Sequence, residues 1–466
     1  MRNYKYMILS GVLALSALSS CDKDFLDQQP YTSIPTNNAF LTDADVFAAL
    51  NGTYSGLQET DLYGRSILVL GDILANNTFV STKNAGRYLE FENYTFSRNN
   101  GTISDLWSDN YRVITRANEI INSVQTEVSN QEDVDQYKGE AYAIRALAYF
   151  DLVRFFARPY TDSPSAPGVP LVLENDYTVK PSRNTVGEVY DQILSDLEKA
   201  STLMTSYSNS GRFSPGAATA LAAKVNLFKG DYTTALAKAE DVIDNSGFAL
   251  VPRESVLAYW ANSGTAASKG ETLFSVVFTE VDNNGSDEIA DIYSQQGGYG
   301  DIISTKEVYD LYSSTDVRKD LIINGPRKGG EASAYIVNKF ENVTGDRDDR
   351  VVLRMSEMYL IAAESAARLG DEETARGYLN ALVAERDPSL VYTSTGEQLI
   401  NDILLERTKE LVFEGDKLHT LDRLKMDITG RPKSPTEVPY SDYRRVFPIP
   451  QSEIDANKNI EQNPNW

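Results

Sequence analysis

Hydrophobic residues recur along most of the chain with the period of an α-helix. Within 132–157 they fall three or four residues apart and form one apolar stripe, made of Ala141, Ile144, Ala148, Leu152, Phe155 and Phe156. Residues 105–124 precede this stripe with a similar pattern, so the two segments predict a helical hairpin. Further on, Thr185 predicts the start of a helix that runs to residue 203, because Glu188 completes a capping box with it.

Two helix junctions resemble each other. Each has a glycine, a small residue five positions later and an apolar residue nine positions later: Gly230, Ala235 and Ala239 in the first, Gly370, Ala375 and Leu379 in the second. This spacing is typical of the turn and second helix of a tetratricopeptide repeat. The copies are about 140 residues apart, which favours degenerate repeats separated by insertions. Two ordinary helical hairpins remain the alternative interpretation.

The middle of the chain has a different composition. Residues 247–350 are rich in glycine, asparagine and serine, and the run 271–278 predicts a strand. Helical periodicity returns at 351–369, 371–386 and 397–413. The fold class predicted is therefore mainly α, with a loop-rich half and a few short strands.

The N-terminus predicts an exported, lipid-anchored protein. Arg2 and Lys5 precede an apolar run at 7–18, which is too short to span a bilayer and has the proportions of a signal peptide. The run ends in Leu-Ser-Ser-Cys, so 1–20 is predicted to be removed and Cys21 to carry the lipid. Residues 21–38 then form a polar tether to the membrane. An ordinary signal with an incidental cysteine is the alternative.

Composition excludes several functions. The 466 residues contain one cysteine and one histidine. These counts rule out an intramolecular disulfide, a zinc site made of Cys and His ligands, and any catalytic set that needs a second histidine. Acidic residues outnumber basic ones by 67 to 44, and a net charge of −23 argues against nucleic acid as a partner. No cofactor is expected.

Seven motifs follow one another along the chain: "CDKDFLDQQP", "NAFLTDADVFAALNGTYSGL", "LWSDNYRVITRANEII", "GEAYAIRALAYFDLVRFFARPY", "RMSEMYLIAAES", "LLERTKELVFEGDKLHTLDRL" and "FPIPQSEIDANKNIEQNPNW". In this order they resemble the motifs of the starch-utilisation-system D (SusD/RagB) family. Lys417 and Thr420 depart from the arginine and aspartate usual in the family. Asn76 and Asn77 replace a common acidic pair.

The resemblance implies a single unit over 39–466. In it, a tetratricopeptide-like helical scaffold (about 105–157, 185–246 and 351–414) carries a ligand-binding, loop-rich region (about 72–100 and 247–350). It also implies an outer-membrane lipoprotein that captures oligosaccharides, without catalysis, for a SusC-like TonB-dependent transporter. A peptide ligand, as for a RagB-type protein, is the alternative within the family.

Candidate ligand contacts follow from loop position and side-chain type, because sugar rings need aromatic faces and planar polar groups. Stacking is expected from Trp260, Tyr293, Tyr299 and Tyr88, and hydrogen bonding from Asp72, Asn76 and Arg87. Two other classes stay open. A glycoside hydrolase needs only two suitably spaced carboxylates, and a repeat lipoprotein could bind other proteins instead.

Overall fold

The computed structural model describes residues 40–176, 178–261 and 270–466. The predicted signal, Cys21 and tether lie outside these residues. Most of the described chain is helical. In chain order the helices are α1 (Asp43–Gly56), α2 (Ser66–Ile73), α3 (Leu89–Glu92), α4 (Gly101–Asn122), α5 (Gln131–Phe156), α6 (Val186–Leu203), α7 (Pro215–Lys229), α8 (Tyr232–Asn245), α9 (Val256–Ala261), α10 (Ile289–Tyr293), α11 (Lys306–Asp310), α12 (Met355–Arg368), α13 (Glu372–Ala384), α14 (Gly396–Leu411), α15 (Asp416–Arg423) and α16 (Gln451–Ala456).

Six short strands form two small antiparallel sheets in the described residues. The strands are β1 (Thr78–Val80), β2 (Thr272–Val276), β3 (Ile302–Ser304), β4 (Ile322–Gly325), β5 (Ala334–Val337) and β6 (Arg350–Arg354). The larger sheet has the order β1-β3-β5-β4, and β2 pairs with β6 alone. The mainly α fold class is confirmed.

The helices pack as a series of neighbouring hairpins. Successive pairs from α4 to α8 contact each other, and α8 then packs against α12, which in turn packs against α13 and α14. The two similar junctions therefore lie in adjacent pairs, α7–α8 and α12–α13, although they are far apart in sequence. This arrangement supports degenerate repeats over two unrelated hairpins.

The two junctions also share their local geometry. Gly230 and Gly370 both adopt left-handed backbone conformations, with φ of +81° and +87°. The aspartate after each glycine caps the next helix, since Asp231 and Asp371 each accept a hydrogen bond of 3.1 Å from the backbone N–H three residues on. Only glycine adopts such a φ without cost, which explains its position in both turns.

One predicted helix boundary is wrong. Residues 351–354 belong to β6 and not to the following helix, which begins at Met355. Val351 pairs with Ser275 and Leu353 with Phe274 of β2. The β-branched pair Val351–Val352 favours this strand, and tertiary pairing decided between two states that the sequence pattern could not separate.

A buried ionic cluster connects the helical scaffold to the loop-rich half. It has five cations, Arg318, Arg354, Arg386, Lys339 and Lys409, and five anions, Asp316, Glu271, Glu406, Glu410 and Glu414. Glu410 of α14 is the shared acceptor of three guanidinium groups. The cluster is electrically balanced only while each member is present.

A close backbone contact fixes the first insertion on the scaffold. Gly71 of α2 packs so tightly against Gly415 that a Cβ atom on Gly71 would lie 2.0 Å from the Gly415 carbonyl oxygen. Asp72 strengthens this contact by accepting a hydrogen bond of 3.2 Å from the Gly415 N–H. The chain that follows, residues 76–100, is thereby held at a defined place.

Candidate functional site

Four loops converge beside the four-stranded sheet and form a surface that we call the loop platform. It comprises residues 81–88, 285–287, 294–300 and 326–331. The first and third loops leave the sheet at the same end, because Val80 of β1 lies opposite Ile302 of β3. The fourth loop connects β4 with β5 and forms hydrogen bonds with the first and the third loops.

The centre of the loop platform is a stacked pair, Arg87 and Tyr299. The Arg87 guanidinium carbon lies 3.6 Å from the Tyr299 ring centroid, and both side chains are half-buried. Asp287 stands beside them, with a carboxylate oxygen 3.7 Å from Arg87 Nη2 and 3.2 Å from Arg65 Nη1. The pair thus combines an aromatic ring, a planar cation and an exposed carboxylate in one place.

The buried side chain of Arg327 connects two of the loops. It is 7% exposed, and its Nη2 donates hydrogen bonds to the carbonyl oxygens of Tyr299 (2.5 Å) and Lys83 (3.3 Å). Glu331 adds two bonds of 2.7 Å from Ser81 Oγ and the Thr82 N–H. These bonds fix the positions of the loops that carry Arg87 and Tyr299.

The loop before Tyr299 is wrapped around a carboxylate. Asp291 accepts a hydrogen bond of 3.2 Å from the Gly298 N–H and one of 3.0 Å from Arg347 Nη1. Gly297 passes so close that a Cβ there would lie 2.8 Å from the Asp291 Cα. Gly297 is therefore required for close packing, whereas Gly298 has open space beside it and the side chain of Gln296 is exposed at the surface.

Two predicted stacking residues are not at the surface. Trp260 is 7% exposed and lies on α9, where Lys339 Nζ covers its ring at 4.1 Å from the centroid. Tyr293 is fully buried and stacks on Phe340, with ring centroids 6.2 Å apart. The expectation of an exposed aromatic face is wrong at both positions, because each aromatic residue is a buried residue of a short helix beside a polar loop and does not lie in the loop itself.

Two more predicted contacts serve the fold. Tyr88 is 8% exposed, and its hydroxyl accepts a hydrogen bond of 2.7 Å from Arg65 Nε. Asp72 is completely buried, and burial raises its pKa to about 7 despite hydrogen bonds from Asn77 and the Gly415 N–H. Neither side chain is exposed to a ligand. The expectation that Tyr88 and Asp72 contact the ligand, which came from their loop positions, is therefore corrected.

Asn76 lies in a different place. Its Nδ2 donates a hydrogen bond of 2.9 Å to the Thr429 carbonyl oxygen. It lines a groove of about 290 Å³ whose described lining includes Leu405, Lys417 and Met426 but no residue of the loop platform. Of the seven ligand contacts expected, only Arg87 and Tyr299 therefore lie on the loop platform with partly exposed side chains, since Tyr88 belongs to its first loop but is buried.

Eight further charged or amide residues of the loop platform were not singled out from sequence. They are Lys83, Asn84, Asp287, Gln295, Gln296, Arg327, Lys328 and Glu331. The sequence contained part of the signal for these residues, since "STKNAGR" and "SQQGG" are rich in polar residues and glycine, as ligand-binding loops often are. The loop 326–331 could not be joined to them without knowing the sheet order.

The metal-ligating side chains and the single histidine of the described residues are placed as follows. No group of three or more His, Cys, Asp and Glu side chains in 40–176, 178–261 and 270–466 could hold a metal ion. His419 is buried against Phe155, and burial holds its pKa well below the usual range. Within the same residues, no helix combines the length and the apolar character that crossing a bilayer requires.

The fold and this loop-built surface define a class: helical-repeat proteins that carry extended loop insertions on one scaffold. Comparison with known families narrows this class to one family. Residues 24–227 match a family described as starch-binding and associating with the outer membrane, and residues 323–466 match the SusD family. The chain belongs to the SusD family.

Individual relatives agree over nearly the whole chain. A protein of Bacteroides vulgatus ATCC 8482 named for sugar binding has 32% sequence identity and a TM-score of 0.83, over 92% of this chain and 99% of that one. A SusD superfamily protein from Bacteroides thetaiotaomicron has 30% identity and a TM-score of 0.83, over 91% and 100%. SusD-like protein P2 of Formosa agariphila is 27% identical over 98% of this chain and 99% of its own.

Proposed function

We propose that the protein is a non-catalytic, outer-membrane lipoprotein that binds oligosaccharides and passes them to a SusC-like TonB-dependent transporter. The observation that carries glycan binding is the stacked pair of Arg87 and Tyr299 on the loop platform. Tyr299 is half-buried and Arg87 covers one face of its ring, so the opposite face is the one that would stack on the C–H groups of a pyranose. The guanidinium and Asp287 offer directional bonds to the hydroxyls of the sugar.

The supports beneath the pair strengthen the proposal. Binding sites need side chains that are held in place before the ligand arrives. Arg327, Glu331 and Asp291 tie the loops together through bonds of 2.5 to 3.2 Å.

Membership of the SusD family supports the same function, because relatives are named for sugar or starch binding. The N-terminal Leu-Ser-Ser-Cys sequence supports lipid attachment at Cys21. The proposed transporter partner rests on the family resemblance alone.

Calorimetric titration of the full chain with a panel of polysaccharides and peptides, followed by thin-layer chromatography of the same mixtures, tests the function. Binding of a polysaccharide without cleavage products is the expected result. Binding of peptides only would replace the glycan with a peptide, and cleavage products would overturn the non-catalytic role.

A further inference from the structure

A cleft on the helical scaffold shares no residue with the loop platform. It lies between residues 205–207, which follow α6, the first turn of α7 and the last turn of α8. Its volume is about 340 Å³, and sites for small ligands typically span roughly 300–1,000 Å³. The cleft is therefore large enough for one sugar residue of a polymer.

An exposed tyrosine stands at this cleft. Tyr207 is 48% exposed and packs against Phe248 in a T-shaped arrangement, with ring centroids 5.3 Å apart and ring planes at 90°. In a T-shaped pair one ring points its edge at the other, so Phe248 covers at most one face of Tyr207. With about half of its surface exposed, Tyr207 can offer ring surface for stacking on a ligand.

Polar side chains line the same cleft as Tyr207. Asn245 Nδ2 donates a hydrogen bond of 2.7 Å to Asp241 Oδ1, which holds a planar amide and a carboxylate side by side at the end of α8. Hydroxyls of Ser206 and Thr219 line the same cleft. These groups can donate to and accept from the hydroxyls of a pyranose ring.

The charge of the cleft indicates which ligands fit. Among the described residues that line it, Asp241 is the one charged side chain, and none is basic. Phosphorylated, sulfated and uronic-acid ligands need a cation, as in most anion sites. A neutral saccharide therefore matches the lining better than an anionic ligand.

We propose that the Tyr207 cleft is a second saccharide subsite, which binds another part of the same neutral polysaccharide that the loop platform captures. The inference rests on the proposed function and extends it to a polymer held at two points. Binding at two linked sites raises the overall affinity because the second contact becomes intramolecular. The cleft then helps to retain long chains.

Affinity electrophoresis tests this with the full chain in detergent, in gels that contain soluble starch, laminarin, xylan or galactomannan. The proteins compared are wild type, Tyr207→Ala, Tyr207→Phe and Tyr299→Ala. With the polysaccharide that retards the wild type, Tyr207→Ala should weaken binding roughly three- to tenfold. Tyr207→Phe keeps the ring and should bind within about twofold of wild type.

The outcomes separate the two sites. Unchanged binding by Tyr207→Ala, with weakened binding by Tyr299→Ala, would overturn the second subsite and leave the proposed function standing. Weakened binding by Tyr207→Ala alone would support the cleft and contradict the role of the loop platform. A wild type that none of the four polysaccharides retards would overturn both proposals. Urea denaturation checks that each variant is folded under the conditions of the gel, because Tyr299 packs against the hydrophobic core and Tyr207 against Phe248.

Discussion

Replacing Glu410 by glutamine tests how strongly the buried ionic cluster contributes to stability. The Glu410 carboxylate accepts hydrogen bonds from Arg318 Nη1 (2.9 Å), Arg354 Nη1 (2.6 Å) and Arg386 Nη2 (3.0 Å). Glutamine keeps the shape and one acceptor oxygen but removes the charge. The cluster would then hold five cations and four anions, with one positive charge left uncompensated in the interior.

The expected cost is about 3–5 kcal/mol of unfolding free energy, the range measured when one partner of a buried ion pair is removed. Urea denaturation with linear extrapolation measures it. Glu373→Gln is the matched control, because Glu373 is exposed on α13, and surface changes of this kind stay within about 0.5 kcal/mol. A loss below about 1 kcal/mol for Glu410→Gln would refute the reasoning that the cluster depends on charge balance.

The same variant has a characteristic pH dependence. Burial alone would raise the pKa of Glu410, but the guanidinium groups of Arg386, Arg354 and Arg318 outweigh burial and hold the pKa well below its usual range. Because the unfolded state then binds the proton more readily, the stabilisation is present above the unfolded pKa and is lost as the pH falls toward the folded value. Glu410→Gln should therefore lose less stability on acidification than wild type.

Three further predictions concern the first insertion and the loop platform. Gly71→Ala should destabilise the protein by about 1–3 kcal/mol in urea denaturation, because its new Cβ would meet the Gly415 backbone; a neutral effect would mean that α2 can move away. Asp72 has a pKa raised by burial to about 7, so its folded form favours the proton, and the stability that it contributes should fall as the pH rises from about 4 through 7. Asp72→Asn should flatten that slope between about pH 4 and pH 7, and an unchanged slope would contradict the prediction. Arg327→Lys should weaken glycan binding in calorimetry by about 1 kcal/mol through loss of its bonds to Tyr299 and Lys83, and unchanged affinity would show that the loops hold their shape without it.

The scaffold was largely predictable because its signals are local. The glycine and aspartate of each repeat junction act within one turn of the chain, as do the Thr185 cap and its partner Glu188. Helix α5 was recognisable from a single apolar stripe and begins one residue before the predicted segment. Such features need no knowledge of distant residues.

The site was harder to predict because its contacts are distant in sequence. Arg87 meets Tyr299 across more than 200 residues, and Arg327 is the link between their loops. Aromatic residues that neighbour polar segments can also be either buried or exposed, and the sequence does not distinguish these two cases. Trp260 and Tyr293 fill the interior beside Phe340, whereas Tyr207 is exposed at a position with no family motif.

The most direct test of the central claim is the affinity of the full chain, before and after Tyr299→Ala, for the polysaccharide that it binds in the calorimetric panel. Tyr443→Ala serves as control, because Tyr443 is a partly exposed tyrosine outside the loop platform. The account predicts that Tyr299→Ala raises the dissociation constant roughly three- to tenfold, with Tyr443→Ala unchanged. Equal dissociation constants for wild type and Tyr299→Ala would contradict glycan binding at the loop platform.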